Sequence, residues 1–586
     1  MDSTILKKAQ DWAQNPVFDP EFRKEIQDLI DQKNEKELTE RFYKDLEFGT
    51  GGLRSILGAG ANRMNTYTLR RAAHAVALEV KNTFPTEEHK IAISYDSRRK
   101  SFELAKEAAR VFCAHGIQSF IYSRLNPVPL LSYSVRYHGA QAGVMVTASH
   151  NPKEYNGFKV YWNDGAQVTP PNDKNIIDHY YKAENFAEIP LMDFAEAEKQ
   201  ELIHWVDEEV ENAYQKDIFS SSVNEKLCFE HGHELKIVYS PIHGTGLVPC
   251  TRALENLGFT DVHIVAEQSQ PNSEFPTVKS PNPENPEALT MAIDLMKKLK
   301  ADLAMASDPD GDRLGVAFQD KGETIFLNGN QIGTLMLYYI LESKKRQNQL
   351  PKNGYFVKSI VTTPLQEKIA KSYGLKTYNT LTGFKWICGK MNELERTSPN
   401  EHFVFATEES FGYLNHPYVR DKDGVSSVAL MAEMTLWFKT QGKTLIEGLD
   451  EIYAEFGFAH ETLLSLDYFG IEGAQKISRI MDSFRKFKGG EFASCKITAT
   501  EDYQSLEKVD YLQNKTSPLA HAKSNVLGFY LETGDIVFLR PSGTEPKIKF
   551  YIMIQESHGG LTEKRTLADK RTKEYLGFIQ KIVDQA

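Results

Sequence analysis

The chain has 586 residues, too many for a single hydrophobic core, and roughly three to five domains are expected. A formal net charge of −11 disfavours a general nucleic-acid or anionic-membrane role, so any anionic ligand must be held by local basic clusters. The five cysteines are scattered without a CxxC pair, which excludes a disulfide framework or cysteine-zinc site and leaves free thiols as the expectation. No signal-peptide core and no apolar run of bilayer-spanning length is present, so a cytoplasmic protein is expected.

In chain order, the residues to about Phe42 read as charge-rich helices packing on a first domain. A strand-helix-glycine-strand unit follows: Ile91 to Tyr95, Glu103 to Ala114, Gly116, then Ser119 to Tyr122. The apolar run Ala142 to Val146 reads as a buried strand and leads into Thr147-Ala148-Ser149-His150-Asn151-Pro152. A second unit runs from Leu235 to Tyr239, through a helix near Val248 to Leu257 and Gly258, to Val262 to Val265. The strand Leu303 to Ala306 then leads into Asp308-Pro309-Asp310-Gly311-Asp312-Arg313. A third unit comprises Phe356 to Val361, Pro364 to Ser372, Gly374, and Lys376 to Tyr378. It is followed by a strand, His402 to Ala406, and the loop Thr407-Glu408-Glu409-Ser410. The last portion places strands at Phe529 to Leu531, Ile536 to Leu539 and Ile548 to Ile554 between helices at Ala474 to Phe487 and Leu567 to Val583, an α+β pattern.

Right-handed crossovers make each strand-helix-strand unit parallel. The expected fold is therefore α/β with four domains. Three are similar mixed or parallel-sheet α/β domains (1–221, with the N-terminal helices; 222–328; 329–455), and the fourth is a C-terminal α+β domain (456–586), all around a central cleft.

The motifs carry the chemistry. Ser149 stands where a strand ends and a polar turn begins, the usual place for chemistry in open α/β sheets. A Ser-His hydrolase is disfavoured: Ser149 and His150 are neighbours, which on a strand point to opposite faces, and no Gly-x-Ser-x-Gly elbow surrounds them. The acidic loop is not an EF-hand, because Arg313 occupies the sixth position and Gln319 the twelfth. Three carboxylates on one turn repel unless a cation sits among them, and Mg²⁺ prefers such hard oxygens shared with a phosphate. Together the loops suggest a phosphorylated serine held against a divalent metal. In Arg540-Pro541-Ser542-Gly543-Thr544, two hydroxyls, loop amides and an arginine fork suit a phosphate. Gly244-Thr245-Gly246 fails as a dinucleotide fingerprint, since Pro249 stands at its final glycine.

These motifs, in this order and from about residue 40 onward, resemble the α-D-phosphohexomutase superfamily, which includes phosphoglucomutases and phosphomannomutases. The charged N-terminal segment and Tyr161 to Gln167 look most like the subgroup of bacterial α-phosphoglucomutases and related phosphopentomutases. The resemblance implies that Ser149 is a phosphoserine and a metal ligand with Asp308, Asp310 and Asp312, and that His150 and Lys159 are polar groups beside it. Lys159, and Lys422 in Arg420-Asp421-Lys422-Asp423-Gly424, become candidates for proton transfer. Arg54, in Gly49-Thr50-Gly51-Gly52-Leu53-Arg54, becomes the cation beside the transferring phosphoryl, with Ser55 where the family often has glycine. Glu408 and Ser410 would hold sugar hydroxyls, Arg313 and Lys385 would join substrate binding, and Arg540, Ser542, Gly543 and Thr544 would grip the non-reacting phosphate.

The implied activity is interconversion of glucose 1-phosphate and glucose 6-phosphate, with one Mg²⁺ per subunit and glucose 1,6-bisphosphate as intermediate and activator. Phosphopentomutase and phosphomannomutase activities are the enzymatic alternatives, and a sugar-phosphate sensor on the same fold is the non-enzymatic one. Phosphosugars are the expected partners, with neither nucleic acid nor membrane, and a monomer or weak homo-oligomer is the expected state.

Overall fold

Ala142–Val146 is buried at every position, as a strand covered on both faces of a sheet must be. It pairs in parallel with Lys90–Tyr95 and antiparallel with Tyr155–Trp162. The full sheet runs Gly52–Ile56, Tyr155–Trp162, Ala142–Val146, Lys90–Tyr95, Gln118–Tyr122, Ile203–Val206. One face is covered by the helices Thr66–Thr83 and Ser101–Ala114, whose small residues (Ala72, Ala73, Val76, Ala105, Ala108) let them approach closely. On the other face Leu131 and Val135 of Val128–His138 pack against Ala92, Met145 and Tyr161.

The computed structural model describes residues 2–49, 52–468, 470–542 and 547–586. They fall into two units: Met1–Asn328 with Phe384–Ser398 and Ser410–Trp437, and Gly329–Gly383 with Pro399–Glu409 and Phe438–Ala586. The sheet just described belongs to the first. Its N-terminal helices, Ser3–Gln14, Pro20–Asp31 and Glu35–Phe42, close around Trp12, Phe18, Phe42 and Tyr67, with Trp12 and Phe18 stacked at 3.9 Å. Tyr67 lies on the helix Thr66–Thr83, so this aromatic cluster fastens the helices to the domain, as expected.

A second sheet of the first unit runs Glu323–Leu327, Leu314–Asp320, Leu303–Ser307, Ile237–Ser240, Val262–Ile264. Its last three strands are parallel, and Leu314–Asp320 returns antiparallel. The serine and acidic motifs therefore leave the C-terminal ends of parallel strands, where open α/β sheets carry their sites.

In the second unit Gly354–Ser359 pairs in parallel with Lys376–Thr380 on one side and His402–Glu408 on the other. The C-terminal sheet is antiparallel throughout and has eight strands. Its helices are Gly470–Arg485 and Leu561–Gln585. The three strand-helix-glycine-strand units form as read, with Gly116 and Gly374 at φ +74° and +79° turning the chain back to the sheet. All five cysteines are buried and free.

Candidate functional site

In the first unit the chain leaves Ala142–Val146 through Thr147, and Ser149 takes a left-handed backbone with φ +54°. A non-glycine residue there costs roughly 1–2 kcal/mol, so its surroundings must hold it. Thr147 Oγ1 accepts the Ser149 amide at 2.8 Å and itself donates to Asp96 Oδ2 at 2.6 Å. The twist also corrects the sequence reading of Ser149 and His150. Their side chains meet, with Ser149 Oγ 3.0 Å from His150 Nδ1, because the pair sits on a turn and not on a strand. Ser149 Oγ also donates to Asp308 Oδ2 at 3.2 Å.

Asp308, Asp310 and Asp312 are buried, each offering one oxygen within 4.8 Å of the others. Asp308 Oδ1 accepts the amides of Asp312 and Arg313, both at 3.0 Å, which winds the loop so that alternate carboxylates point inward. Two like charges 4.8 Å apart at an effective dielectric near 20 repel by about 3–4 kcal/mol, so the cluster needs positive charge. Lys159 Nζ lies 2.8 Å from Asp310 Oδ2 and 3.6 Å from Asp312 Oδ2, and Lys422 Nζ lies 3.1 Å from Asp312 Oδ2. Arg313 pairs with Glu284 and stands 3.9 Å from Asp308 and 3.8 Å from Asp312.

The balance is incomplete. Burial and the neighbouring Asp312 and Asp310 charges push Asp308 well above the usual carboxylate range. Burial and Asp310 push Asp312 up to about 6, against Lys422 and Lys159. Burial also opposes ionisation of Asp310, but Lys159 outweighs it and holds the group down to about 2. Asp310 Oδ1 and Asp312 Oδ1 are buried without a hydrogen-bond donor. Hard oxygens in this state fit a divalent cation of the Mg²⁺ type.

Arg54, on Gly52–Ile56, donates to Asn151 Oδ1 at 2.8 Å, so the sheet brings it to the serine loop from the neighbouring antiparallel strand pair. Lys422 is fixed by Asp421 Oδ1 at 3.0 Å, and Asp421 Oδ2 accepts from Tyr161 at 2.7 Å and Gln167 at 3.1 Å. Lys385 lies in the same unit but on a different set of contacts. Its ammonium is 3.9 Å from Asp173 and 4.9 Å from the Trp386 ring centre, and burial draws it down to about 8 despite Asp173. Ser410 is half-buried.

In the second unit the turn Leu381-Thr382-Gly383 links two of the other candidates. The Gly383 amide donates to Glu408 Oε1 at 2.6 Å, and Arg540 Nη1 donates to Thr382 Oγ1. Ser542 leaves the strand Ile536–Pro541 and its amide donates to Lys547 O at 2.7 Å. Gly543, Thr544 and the Thr50-Gly51 pair before Arg54 lie outside the described residues.

Sequence reasoning missed the supports: Asp96, Arg98, Asp421, Tyr161 and Glu284. One signal was available, Asp96-Ser97-Arg98 directly after the strand Lys90–Tyr95, which is parallel to the strand before Ser149.

Three family models match this chain: the phosphoglucomutase/phosphomannomutase α/β/α domains I over residues 45–187, II over 212–322 and III over 328–456. A phosphoglucomutase of Staphylococcus epidermidis is 35% identical over 534 residues, covering 91% of this chain and 95% of that protein. One of Staphylococcus aureus is 35% identical, covering 90% and 93%. Among solved structures, the open form of the Paramecium phosphoglucomutase parafusin superposes with a TM-score of 0.67 at 18% identity, covering 93% of this chain and 96% of that one. A putative phosphomannomutase of Thermus thermophilus gives 0.65 at 20% identity, covering 90% and 99%.

Proposed function

The chain belongs to the phosphoglucomutase/phosphomannomutase family, and from that premise we propose that it interconverts glucose 1-phosphate and glucose 6-phosphate through a phosphorylated Ser149. It is an enzyme of the phosphohexomutase class, an isomerase. The choice of glucose rests on the phosphoglucomutase relatives, which match nine-tenths of the chain. One observation carries the mechanism: the hydroxyl of a strand-end serine lies 3.2 Å from a buried cluster of three carboxylates.

Phosphoserine 149 gives its phosphoryl group to the free hydroxyl of the sugar phosphate. The Ser149 Oγ–P bond breaks as the sugar O–P bond forms, and the hydroxyl proton passes to a basic side chain. The bisphosphate turns over and returns its other phosphoryl group to Ser149. Lys159 and Lys422, each beside an acidic-loop carboxylate, are assigned to take and return the proton in the two half-reactions. Arg54 and His150 flank the serine, Arg54 offsetting charge on the transferring group and His150 a polar partner of Oγ. Asp308, Asp310 and Asp312, with a phosphoserine oxygen, would hold Mg²⁺. When bound, the ion supplies positive charge that offsets the phosphoryl oxygens. Glu408 and Ser410 are assigned to sugar hydroxyls, and Arg540 with the 542–544 loop to the non-reacting phosphate, with Arg313 and Lys385 supporting substrate binding. The four-domain division at 221, 328 and 455 belongs to the same proposal. It is supported by the family-model matches and by the presence of one sheet in each segment.

The test is a coupled mutase assay on glucose 1-phosphate with catalytic glucose 1,6-bisphosphate. Mg²⁺-dependent formation of glucose 6-phosphate, abolished in Ser149→Ala, is expected. Full activity of Ser149→Ala would overturn the mechanism, and sugar-phosphate binding without turnover would indicate a sensor.

A further inference from the structure

The backbone of the serine loop hangs on one guanidinium. Arg98 is 3% exposed and its fork reaches four loop carbonyls. Nη2 donates to Ser149 O at 2.7 Å and Asn151 O at 2.5 Å, and Nη1 donates to Pro152 O at 2.9 Å and Tyr155 O at 3.0 Å. Asp96 sits behind the fork as its ion-pair partner, with Oδ2 3.3 Å from Arg98 Nε but no hydrogen bond to that nitrogen, and its Oδ1 accepts the Arg98 amide at 3.0 Å. Asp96 also accepts from Thr147 Oγ1 at 2.6 Å and Ser101 Oγ at 2.8 Å. One carboxylate thus ties the start of the loop and the arginine to the end of the neighbouring strand.

The other side of the guanidinium is closed from the second sheet's domain. The Phe275 ring centre lies 5.2 Å from Arg98 Cζ, and Ser280 of the same segment donates to His150 O at 3.1 Å. The carbonyls of residues 149 to 152 and of Tyr155 turn inward to these donors. That inward turn accompanies the left-handed backbone at Ser149, which points Oγ at His150 and Asp308.

We infer that Arg98 is the positioning residue for phosphoryl transfer: it holds Ser149 in the left-handed conformation that aims Oγ at the acidic loop, with Asp96 and Phe275 fixing its plane. The inference rests on Ser149 as the phosphoryl carrier. Lysine cannot reproduce the arrangement, because a single ammonium on a flexible stem lacks the planar fork that addresses four acceptors at once. Arg98 touches neither the reacting oxygen nor a carboxylate of the acidic loop by hydrogen bond, so its effect is on geometry.

The experiment compares Arg98→Lys with Arg71→Lys in the full chain. Arg71 is a useful control. It is 4% exposed and bound to the Tyr180 and Tyr181 carbonyls and to Asp45, bonds of the same kind that do not involve the serine loop. Each protein is charged with glucose 1,6-bisphosphate. Phosphate on Ser149 is measured by peptide mass, transfer to glucose 1-phosphate by rapid quench, and kcat, KM and Tm in parallel. Arg98→Lys is expected to slow transfer and kcat roughly 100-fold, the scale of a misplacement near 1 Å, while KM stays within about threefold. Arg71→Lys is expected to lose Tm but keep kcat within about threefold. Equal kcat losses in the two variants at equal loss of Tm would overturn the proposal. If Arg98→Lys does not fold, Phe275→Leu removes the ring from the guanidinium and leaves the carbonyl bonds. A fall in kcat of roughly 3–10-fold at constant KM supports the proposal, and an unchanged kcat overturns it. Wild-type protein that never acquires phosphate on Ser149 would overturn the phosphoserine reading itself and the proposal with it, a failure distinct from an indifferent Arg98.

Discussion

Replacing Asp310 by Asn isolates the charge of one acidic-loop side chain at almost constant shape. Asp310 Oδ2 accepts from Lys159 at 2.8 Å and lies 3.2 Å from Thr147 Oγ1, which donates at 2.6 Å to Asp96, and Oδ1 is buried without a donor. An amide in this place either turns its NH₂ toward the Lys159 ammonium, setting donor against donor, or turns it toward the position assigned to Mg²⁺. In both cases the variant loses a buried charge partner, a change that costs about 3–5 kcal/mol when one member of such a pair is removed. Expressed in the transition state, that is roughly 10²–10³·⁵ in kcat. The substitution leaves Glu408 and Arg540, the groups proposed to bind the sugar phosphate, untouched, so KM for glucose 1-phosphate should move by less than about threefold. The assay is steady-state turnover across a Mg²⁺ titration, with Tm recorded at each concentration. Wild-type protein should gain Tm as Mg²⁺ rises, and Asp310→Asn should gain less. A variant with wild-type kcat, or one whose Tm responds to Mg²⁺ as strongly as wild type, would refute the assignment of these carboxylates.

Three further outcomes follow from the same structure. Arg540→Ala removes the fork held by Thr382 and should raise KM for sugar phosphates by roughly one to two decades, about 1.5–3 kcal/mol, while Ser149 remains phosphorylatable by the bisphosphate; an unchanged KM would reduce the loop to a turn. Lys358 is 3% exposed, and burial draws its amine from 10.5 down to about 8, against Glu367 and Glu409. The folded state therefore binds fewer protons than the unfolded chain between about pH 8 and 10.5, and stability should climb with pH across that window by up to about 3 kcal/mol. Lys358→Met should flatten the climb and raise the denaturation midpoint at pH 7; a midpoint unchanged or lowered there would contradict the sign. Finally, a sugar that presents either end to Ser149 must be read through hydroxyls that superpose after the flip, chiefly O3 and O4. C2 stereochemistry is then read weakly, so mannose 1-phosphate should turn over, though less well than glucose 1-phosphate. A furanose leaves one of the polar groups that read these hydroxyls unpaired, so ribose and deoxyribose 1-phosphates should fall below glucose 1-phosphate by about 1–3 kcal/mol, and a higher kcat/KM for a pentose would make this a phosphopentomutase.

The parts of the fold that sequence exposes are those with a local signature. The three strand-helix-glycine-strand units are legible because a change of hydrophobic period and a cap glycine coincide at each junction. Two features stay hidden for opposite reasons. In the helix Gly424–Thr440, residues 424–438 are buried on every side, from Val425 and Val428 through Glu433 to Trp437, so they have no amphipathic period to read. Phe458–Asp467 is largely half-buried and mixes charged and apolar residues, yet it pairs with Lys547–Glu556 along ten positions of the C-terminal sheet. At the site, Ser149 and the three aspartates announce themselves because each motif is contiguous. The groups that orient them are legible only in three dimensions. Lys422 meets Asp312, Tyr161 meets Asp421 and Arg98 meets the Ser149 carbonyl across long stretches of chain, and no local spacing encodes those pairs. The meeting of Ser149 with His150 is local yet runs against strand alternation, because the left-handed turn at Ser149 breaks that alternation.

The most direct test of the central claim is the fate of phosphate on Ser149 in a single turnover. Protein charged with isotopically labelled glucose 1,6-bisphosphate and freed of excess ligand should carry the label on the peptide containing Ser149. Addition of unlabelled glucose 1-phosphate with Mg²⁺ should move that label into sugar bisphosphate at a rate no slower than kcat. Label on another residue, or label on Ser149 that leaves more slowly than steady-state turnover, would contradict the account.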